Sequence, residues 1–342
     1  MKDFNQYNWK VYVSCLTYNH APYIVDAMNG FCMQETDFPF VCVIIDDAST
    51  DSEPEVIKHF LEDNFKLDDY STARNDETDD YYLCFAQHKT NLNCYFAVYF
   101  LKYNHYQIKK PKDPYLKEWR DNAKYIAICE GDDYWTQPHK LQIQVVFLEA
   151  HPDYTLCFHN GKILAEKGAR VRKFYSEIVD KDYQDKEIFN HFIVPTASVV
   201  FKSIIFNSEL LQKFRNEKKI TIGDLPLWLT CCKEGKVRGL SQYMSVYRQT
   251  PSNWTSISRN YDEYIKGAER SILIWKIYGD NLKHIAQKQY AIYMLAASSS
   301  LRKEGKSYFR PIIRSLSKYP LMTILVFFSQ LFKTLKKKNL NE

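Results

Sequence analysis

The sequence predicts an α/β fold with a mainly parallel sheet. Short apolar runs at residues 11–16, 40–45 and 125–129 have the composition of buried strands, and each ends in a polar or acidic segment. A proline stands near the beginning of the stretch that follows each run, which is typical of the first turn of a helix. The repeated order of strand, loop and helix indicates parallel βαβ units.

The other elements follow from the same patterns. Helices are expected after the three strands, at about 22–34, 54–65 and 138–150. Further strands are expected at 81–86, 154–159, 194–201 and 236–248, and further helices at 93–103, 208–214 and 225–233. The polar stretches at 66–90 and 104–122 are expected to be mainly loops.

Towards the C-terminus the pattern becomes helical, with no clear strand between residues 261 and 316. We therefore expect three parts. Residues 1–255 would form the α/β catalytic domain, residues 256–319 a helical extension, and residues 320–342 an apolar and basic tail.

Composition narrows the class of protein. With a net charge of +5 spread along 342 residues, nucleic acid is not the expected partner. The nine cysteines show neither CxxC spacing nor a zinc-type cluster, so reduced thiols and a cytoplasmic location are expected. Residues 1–9 are polar and lack the apolar core of a signal peptide.

Acidic side chains stand where the predicted strands end. Glu130, Asp132 and Asp133 follow the strand at 125–129, and the carboxyl ends of parallel strands meet at one edge of a sheet. Clustered carboxylates repel one another unless a cation lies among them, and their oxygens suit Mg²⁺ or Mn²⁺. The alternative is a solvated turn, because Gly and Asp are common turn residues.

A second acidic pair, Asp46 and Asp47, follows the strand at 40–45. A carboxylate at this position is able to accept hydrogen bonds from a nucleobase or a ribose. The alternative is that this segment only prepares the next helix, with Ser49, Thr50 or Asp51 as its cap. Both interpretations can hold if different residues serve each purpose.

Together these segments resemble a known family. The motifs TYNH, VIIDDAST, YIAICEGDDYW and PHKLQ, in this order and at strand ends, are similar to those of family 2 glycosyltransferases with the GT-A fold. The resemblance is to bacterial members that decorate cell-surface polysaccharide. It covers residues 9–160 well, and residues 192–202 and 223–248 more loosely.

The resemblance implies a nucleotide-sugar donor, commonly a UDP-sugar. The nucleotide-binding positions that match are Thr17, Asn19, Asp46, Asp47 and Asp132. The same resemblance implies a Mn²⁺ or Mg²⁺ ion bound by Asp132 and Asp133. The family's first metal-site acid is commonly Asp, and Glu130 stands there in this chain. Asp132 and Asp133 are therefore preferred to Glu130 as ligands or ribose contacts, and Glu130 is expected as a contact to the donor sugar, the phosphates or the acceptor.

The family also implies inversion at the sugar carbon, with a general base at the start of a helix. Asp224 matches that position, although an Asp at a helix start is commonly only an N-cap. Arg248 matches a contact to the diphosphate, with a surface salt bridge as the alternative. Trp135 and Trp228 are candidates for stacking on a sugar or acceptor, with core packing as the alternative.

The tail has its own pattern. Residues 320–332 are apolar, and a lysine cluster follows at Lys333, Lys336, Lys337 and Lys338. A helix of this kind is expected to lie on the anionic inner face of the cytoplasmic membrane, which suits a glycan or lipid-linked acceptor. The alternative is a helix that packs on the protein or on a partner subunit.

Two other functions remain open from the residues alone. The first is a binding module that holds a nucleotide sugar without catalysis, which the acids at 132, 133 and 224 argue against. The second is another metal-dependent nucleotide enzyme, such as a nucleotidyltransferase. Enzymes of that class usually have a glycine-rich basic loop after the first strand, and TYNH is neither glycine-rich nor strongly basic.

Overall fold

The structure is a computed structural model that describes residues 8–165, 171–173, 176–191, 193–250 and 260–338. The strands are β1 Trp9–Thr17, β2 Phe40–Asp46, β3 Arg74–Glu77, β4 Tyr81–Gln87, β5 Cys94–Leu101, β6 Ala123–Ile128, β7 Tyr134–Trp135, β8 Tyr154–Ala165, β9 Val171–Lys173, β10 Lys181–Asp182, β11 Val200–Lys202 and β12 Lys236–Gln249. The helices are α1 Ile24–Cys32, α2 Glu53–Asn64, α3 Asp113–Asp121, α4 Lys140–Ala150, α5 Asp185–His191, α6 Glu209–Asn216, α7 Asp224–Glu234, α8 Tyr261–Tyr278, α9 Lys283–Lys303, α10 Phe309–Lys318 and α11 Pro320–Lys338.

The strands form a single sheet in the order β10-β12-β8-β11-β6-β1-β2-β5-β4-β3, with β7 paired to β12 and β9 to β8. Its centre, β6-β1-β2-β5, is parallel throughout. On one side β11 is antiparallel to both of its neighbours, and β8 and β12 then form a long parallel pair. Because β1 and β2 pair from Val11 with Phe40 to Thr17 with Asp46, both strands end at the same level.

Burial explains why the central strands are apolar along their whole length. Every residue of β2 is buried, as expected for a parallel strand covered on both faces. A single hydrophobic core joins Val13 of β1 and Cys42 of β2 to Phe31 of α1, Ile57 of α2 and Leu141 of α4. The strand–helix alternation that the sequence predicts is confirmed in this part of the chain.

Three predictions about local structure differ from what is found. The expected strand at 194–201 is confined to β11, and residues 196–198 before it form a 3-10 turn. Residues 93–103 do not form a helix but contain β5, in which all eight residues are buried between β2 and β4. An unbroken apolar run has no helical face, so its period cannot distinguish a buried strand from a buried helix. The expected loop at 104–122 contains α3, which begins with Pro114 in its first turn.

The chain divides into two compact units. The first consists of Met1–Tyr183, Ile193–Phe206 and Cys231–Thr250, and it contains the sheet. The second consists of Gln184–Phe192, Asn207–Thr230 and Pro251–Glu342, and it contains α8 to α11. The predicted boundary between residues 255 and 256 lies outside the described residues. Among the helices of the described ranges, none combines the length and apolarity needed to cross a bilayer.

Candidate active site

Three strand ends meet at the carboxyl edge of the parallel strands. Thr17, the last residue of β1, accepts a hydrogen bond at its carbonyl from the Asp47 N–H (3.0 Å), and the Leu16 carbonyl accepts from the Gly131 N–H (3.0 Å). The loops after β1, β2 and β6 are therefore in direct contact. The sequence-based prediction that these loops converge is confirmed.

Gly131 allows this close contact. A Cβ atom at this position would lie 2.2 Å from Thr17 Oγ1 and 2.6 Å from Thr17 Cβ, well inside van der Waals contact. Glycine is therefore needed here for space. The tight approach holds the acidic loop after β6 against the end of β1.

Asp132 and Asp133 are both buried in this loop, with 7% and 4% of their surface exposed. Asp133 Oδ1 accepts a hydrogen bond from the Arg248 N–H (2.9 Å). Asp132 Oδ2 lies 4.0 Å from His20 Nε2. Burial, followed by repulsion from Asp132, raises the pKa of Asp133 well above its ordinary value. A cation bound here would relieve that repulsion.

The acidic side chains suit a divalent ion that the protein would bind together with phosphate oxygens of a nucleotide. Within the described ranges, the His, Cys, Asp and Glu side chains form no group of three or more that would hold a metal by themselves. Mg²⁺ and Mn²⁺ sites in phosphate-handling enzymes commonly use one or two carboxylates and complete their shell with phosphate oxygens and water. Asp132 and Asp133 could supply such a pair. Glu130 is exposed, and its carbonyl accepts from the Asp133 N–H (3.0 Å).

Arg248 lies beside the same acidic loop. Its Nε donates to the Asp132 carbonyl (3.0 Å), and its terminal nitrogen pairs with Asp26 Oδ2 (2.6 Å). The guanidinium lies over the rings of Tyr23 (4.8 Å) and Tyr134 (5.1 Å). The salt bridge left open as the alternative is therefore present, and it places a fixed positive charge next to the carboxylate pair. Contact with a diphosphate stays a prediction.

Asp46 and Asp47 have different environments. Asp46 is buried and accepts from the Ser49 N–H (3.1 Å). Asp47 accepts from the His105 N–H (2.8 Å) and from Lys112 Nζ (2.8 Å). It thereby holds the segment after β5 at the edge of the site. Direct contact of either carboxylate with a nucleotide stays a prediction.

Asn19 joins the loops after β1 and β2. Its backbone has a φ of +57°, a left-handed conformation that Asn tolerates better than most residues. Its side-chain oxygen accepts from the N–H groups of Thr50 (2.8 Å) and Asp51 (3.3 Å), while its own N–H donates to Ser49 Oγ (2.9 Å). The side chain thus shapes the loop that carries Asp46, whatever it contributes to a ligand.

Glu53 is the residue at this site that the sequence did not reveal. It is the first residue of α2 and is completely buried. One carboxylate oxygen accepts from Thr17 Oγ1, and the other accepts from the His20 N–H (2.8 Å) and from Ser49 Oγ (2.8 Å). Acids are common in first helical turns, so nothing local distinguished Glu53 from a solvent-exposed residue.

Three more predicted positions are placed as follows. Trp135 is 1% exposed and donates from Nε1 to the Ala197 carbonyl (2.8 Å), so core packing, the alternative left open, describes its position. Trp228 is also buried, on α7 in the second unit. Asp224 begins α7, is exposed, and accepts from the Leu225 N–H (2.9 Å). Its role as a base stays a prediction.

The charge on Asp46 leads to a stability prediction. Burial, reinforced by repulsion from Glu53, raises the pKa of Asp46 to about 6. The folded chain therefore binds the proton of the Asp46 carboxyl more tightly than the unfolded chain does. This protonation stabilises the fold, and the stabilisation is lost as the pH rises through about 6. Asp46→Asn keeps the acceptor for Ser49 and removes the charge.

We expect Asp46→Asn to raise the free energy of unfolding by on the order of 2 kcal/mol at about pH 8, with no gain near pH 4. Urea unfolding at both pH values measures the effect. An equal gain at both values would contradict ionisation of Asp46 as the cause.

The fold of this chain is similar to that of two solved structures. S. aureus TarS 1-349 in complex with UDP-GlcNAc has a TM-score of 0.53 and 14% identity, over 92% of this chain and 90% of that chain. A second structure of S. aureus TarS 1-349 has a TM-score of 0.53 and 17% identity, over 92% of this chain and 81% of that chain. These likenesses concern the fold, and the predicted α/β fold of GT-A type with a helical C-terminal region is confirmed.

Comparison by sequence does not assign an activity to the chain. No family model matches the chain. Uncharacterized protein Mb1547 of Mycobacterium bovis and Uncharacterized protein Rv1520 of Mycobacterium tuberculosis are each 27% identical to it over 315 residues. The alignment covers 91% of this chain and 80% of each relative. Any functional conclusion must therefore come from the site.

Proposed function

We propose that this chain is an inverting glycosyltransferase. It would transfer a sugar from a nucleoside-diphosphate donor, first of all a UDP-sugar, to a hydroxyl of a glycan or lipid-linked acceptor in polysaccharide or glycolipid biosynthesis. The observation that carries the proposal is the buried pair Asp132 and Asp133, held by the close contact of Gly131 with Thr17 at the carboxyl edge of the parallel strands. Ligands of open α/β sheets bind at this edge.

The charges at this edge of the sheet suit a diphosphate that binds together with a metal ion. Asp132 and Asp133 would hold Mn²⁺ or Mg²⁺, which offsets negative charge on the diphosphate when it is bound. Asp132 would also contact the ribose. Arg248, whose guanidinium adjoins the same loop, would face the phosphates, and Glu130 would be a further donor contact. The nucleoside would lie over the loops of Thr17, Asn19, Asp46 and Asp47.

Asp224 would act as the general base. Its carboxylate would take the proton from the acceptor hydroxyl while that oxygen forms a bond to the anomeric carbon of the donor sugar. The bond from the anomeric carbon to the diphosphate oxygen would break in the same step, and the nucleoside diphosphate would leave with the bonding pair. Attack from the face opposite the leaving group inverts the anomeric configuration. Trp228, four residues after Asp224 on α7, would contact the acceptor.

Calorimetric titration with UDP in the presence of Mn²⁺, and again with EDTA, tests the nucleotide site. We expect binding that requires the metal. UDP-GlcNAc is the first donor to test for hydrolysis, because S. aureus TarS was crystallised with it. If UDP, GDP and dTDP all fail to bind with either metal, the transferase proposal is wrong.

The role of Asp224 has its own test. Asp224→Asn should bind UDP with unchanged affinity and lose at least about 100-fold in the rate of sugar transfer, since general-base catalysis contributes factors of this size. The matched control is Glu209→Gln, at the start of α6 in the same unit, which should keep full activity. Transfer by Asp224→Asn at the wild-type rate would contradict the assignment.

A further inference from the structure

The C-terminal helix α11 has two apolar faces, and only one of them is covered. Met322 and Val326 are buried against Ala291 and Leu295 of α9. Thr323, on the same side of α11, shares a hydrogen bond with Ser315 of α10 (2.8 Å). The inner face therefore anchors α11 to the second unit and fixes which way the helix is turned.

The other face of α11 is exposed. Leu321, Leu325, Phe328 and Phe332 recur at the spacing of one helical stripe, and 71%, 55%, 51% and 68% of their respective surfaces are exposed. Single exposed apolar residues are normal on protein surfaces, but a whole stripe of large ones indicates an interaction surface. Since the inner face already packs on α9, this stripe is not needed to hold the helix in place.

Helix α10 repeats the arrangement. Pro311 and Ser315 are buried on its inner side, while Phe309, Ile313 and Leu316 form a stripe that is exposed. The two successive helices thus each turn one side to the protein and an apolar stripe to the outside.

The charged residues around α10 and α11 indicate which kind of partner the stripes would bind. The sequence contains no Asp or Glu from residue 305 to residue 341. Over the same range it contains basic residues at Lys306, Arg310, Arg314, Lys318, Lys333, Lys336, Lys337 and Lys338. Arg314 is paired with Glu269 (3.0 Å) and Lys306 with Glu304 (2.7 Å), so the charge of this region is a cationic excess. Apolar stripes beside such an excess of cations match the chemistry of an anionic lipid surface. Since α11 is not long and apolar enough to cross a bilayer, the matching geometry is a helix lying in the interface.

We propose that the exposed stripes of α10 and α11 form a docking surface for an anionic lipid bilayer. The stripes enter the boundary between headgroups and acyl chains, and the surrounding basic residues attract anionic headgroups. This inference does not depend on the transferase proposal, because it concerns lipid binding without donor or acceptor. If both hold, the surface keeps the enzyme where a lipid-linked acceptor is found.

Vesicle sedimentation of the full chain tests the surface. Phosphatidylcholine vesicles with phosphatidylglycerol are compared with phosphatidylcholine vesicles alone. We expect binding to the anionic vesicles that added salt weakens. The double variant Leu325→Ser/Phe328→Ser should bind at least tenfold more weakly, since it removes two apolar groups from the interface. Both side chains are already exposed, so its thermal unfolding should match that of the wild type.

The matched control is Leu92→Ser/Ile108→Ser, which removes two similarly exposed apolar side chains of the first unit. This control should bind vesicles like the wild type. Wild-type protein that ignores anionic vesicles, or equal binding by both double variants, overturns the proposal. Light scattering provides a further test. A wild-type dimer that Leu325→Ser/Phe328→Ser dissociates, without vesicle binding, would show that a second copy of the chain covers this surface and would also overturn the proposal.

Discussion

Asp132→Asn should abolish metal-dependent binding of UDP, lowering the affinity by at least about 100-fold. The substitution leaves one carboxylate where two are available for the ion, and it removes a negative charge that the diphosphate's counter-ion would balance. Stability should not fall, because the charge on Asp132 repels that on Asp133 inside the protein. Calorimetry with UDP and Mn²⁺ and a thermal unfolding curve measure the two effects.

The matched control is Asp182→Asn. Asp182 accepts from the Tyr154 hydroxyl (2.9 Å) and pairs with Arg238 (3.3 Å). It belongs to the same unit as Asp132 but to strand β10, away from the carboxyl ends of the central strands. UDP affinity should be unchanged in this variant. Wild-type affinity in Asp132→Asn would show that the acidic loop after β6 is not the metal–diphosphate site.

Glu53→Ala should both destabilise the protein and weaken nucleotide binding. Three donors, Thr17 Oγ1, the His20 N–H and Ser49 Oγ, lose their acceptor in a site where Glu53 is fully buried. Only the bond from Thr17 Oγ1 is buried, and the other two are part-buried, so water can replace part of what is lost. A buried donor left without its acceptor costs about 1–3 kcal/mol, so we expect a loss of about 2 kcal/mol in the free energy of unfolding. Urea unfolding measures this loss. UDP titration should show at least a tenfold weaker complex, because the loops after β1 and β2 lose their common anchor.

Two further substitutions sharpen this test. Glu53→Gln keeps one acceptor oxygen and should lose less stability than Glu53→Ala. Glu62→Ala, on the same helix but with an exposed side chain, should change stability by less than about 0.5 kcal/mol. If Glu53→Ala unfolds at the same urea concentration as Glu62→Ala, the anchoring role of Glu53 is wrong.

The local sequence pattern correctly predicted where the first strands end and the helices after them begin. The acids after β2 and β6, and the prolines that precede or open the next helices, depend on neighbouring residues only, and these elements occur close to their expected positions. The pattern failed at β5, because a segment that is apolar at every position has no period to read. Its identity depends on pairing with β2 and β4, which residues far away in sequence provide.

From the amino-acid order alone, the convergence of Thr17, Asp46 and Asp132 on one edge of a parallel sheet could be predicted, since each follows an apolar run of strand type. Only the tertiary structure could reveal that Glu53 ties Thr17 to the loop after β2, or that Arg248 donates its N–H to Asp133 across 115 residues of sequence. The reason is physical. Strand and helix signals arise between neighbours along the chain, whereas a buried carboxylate takes its role from whichever distant donors the fold brings within hydrogen-bonding distance.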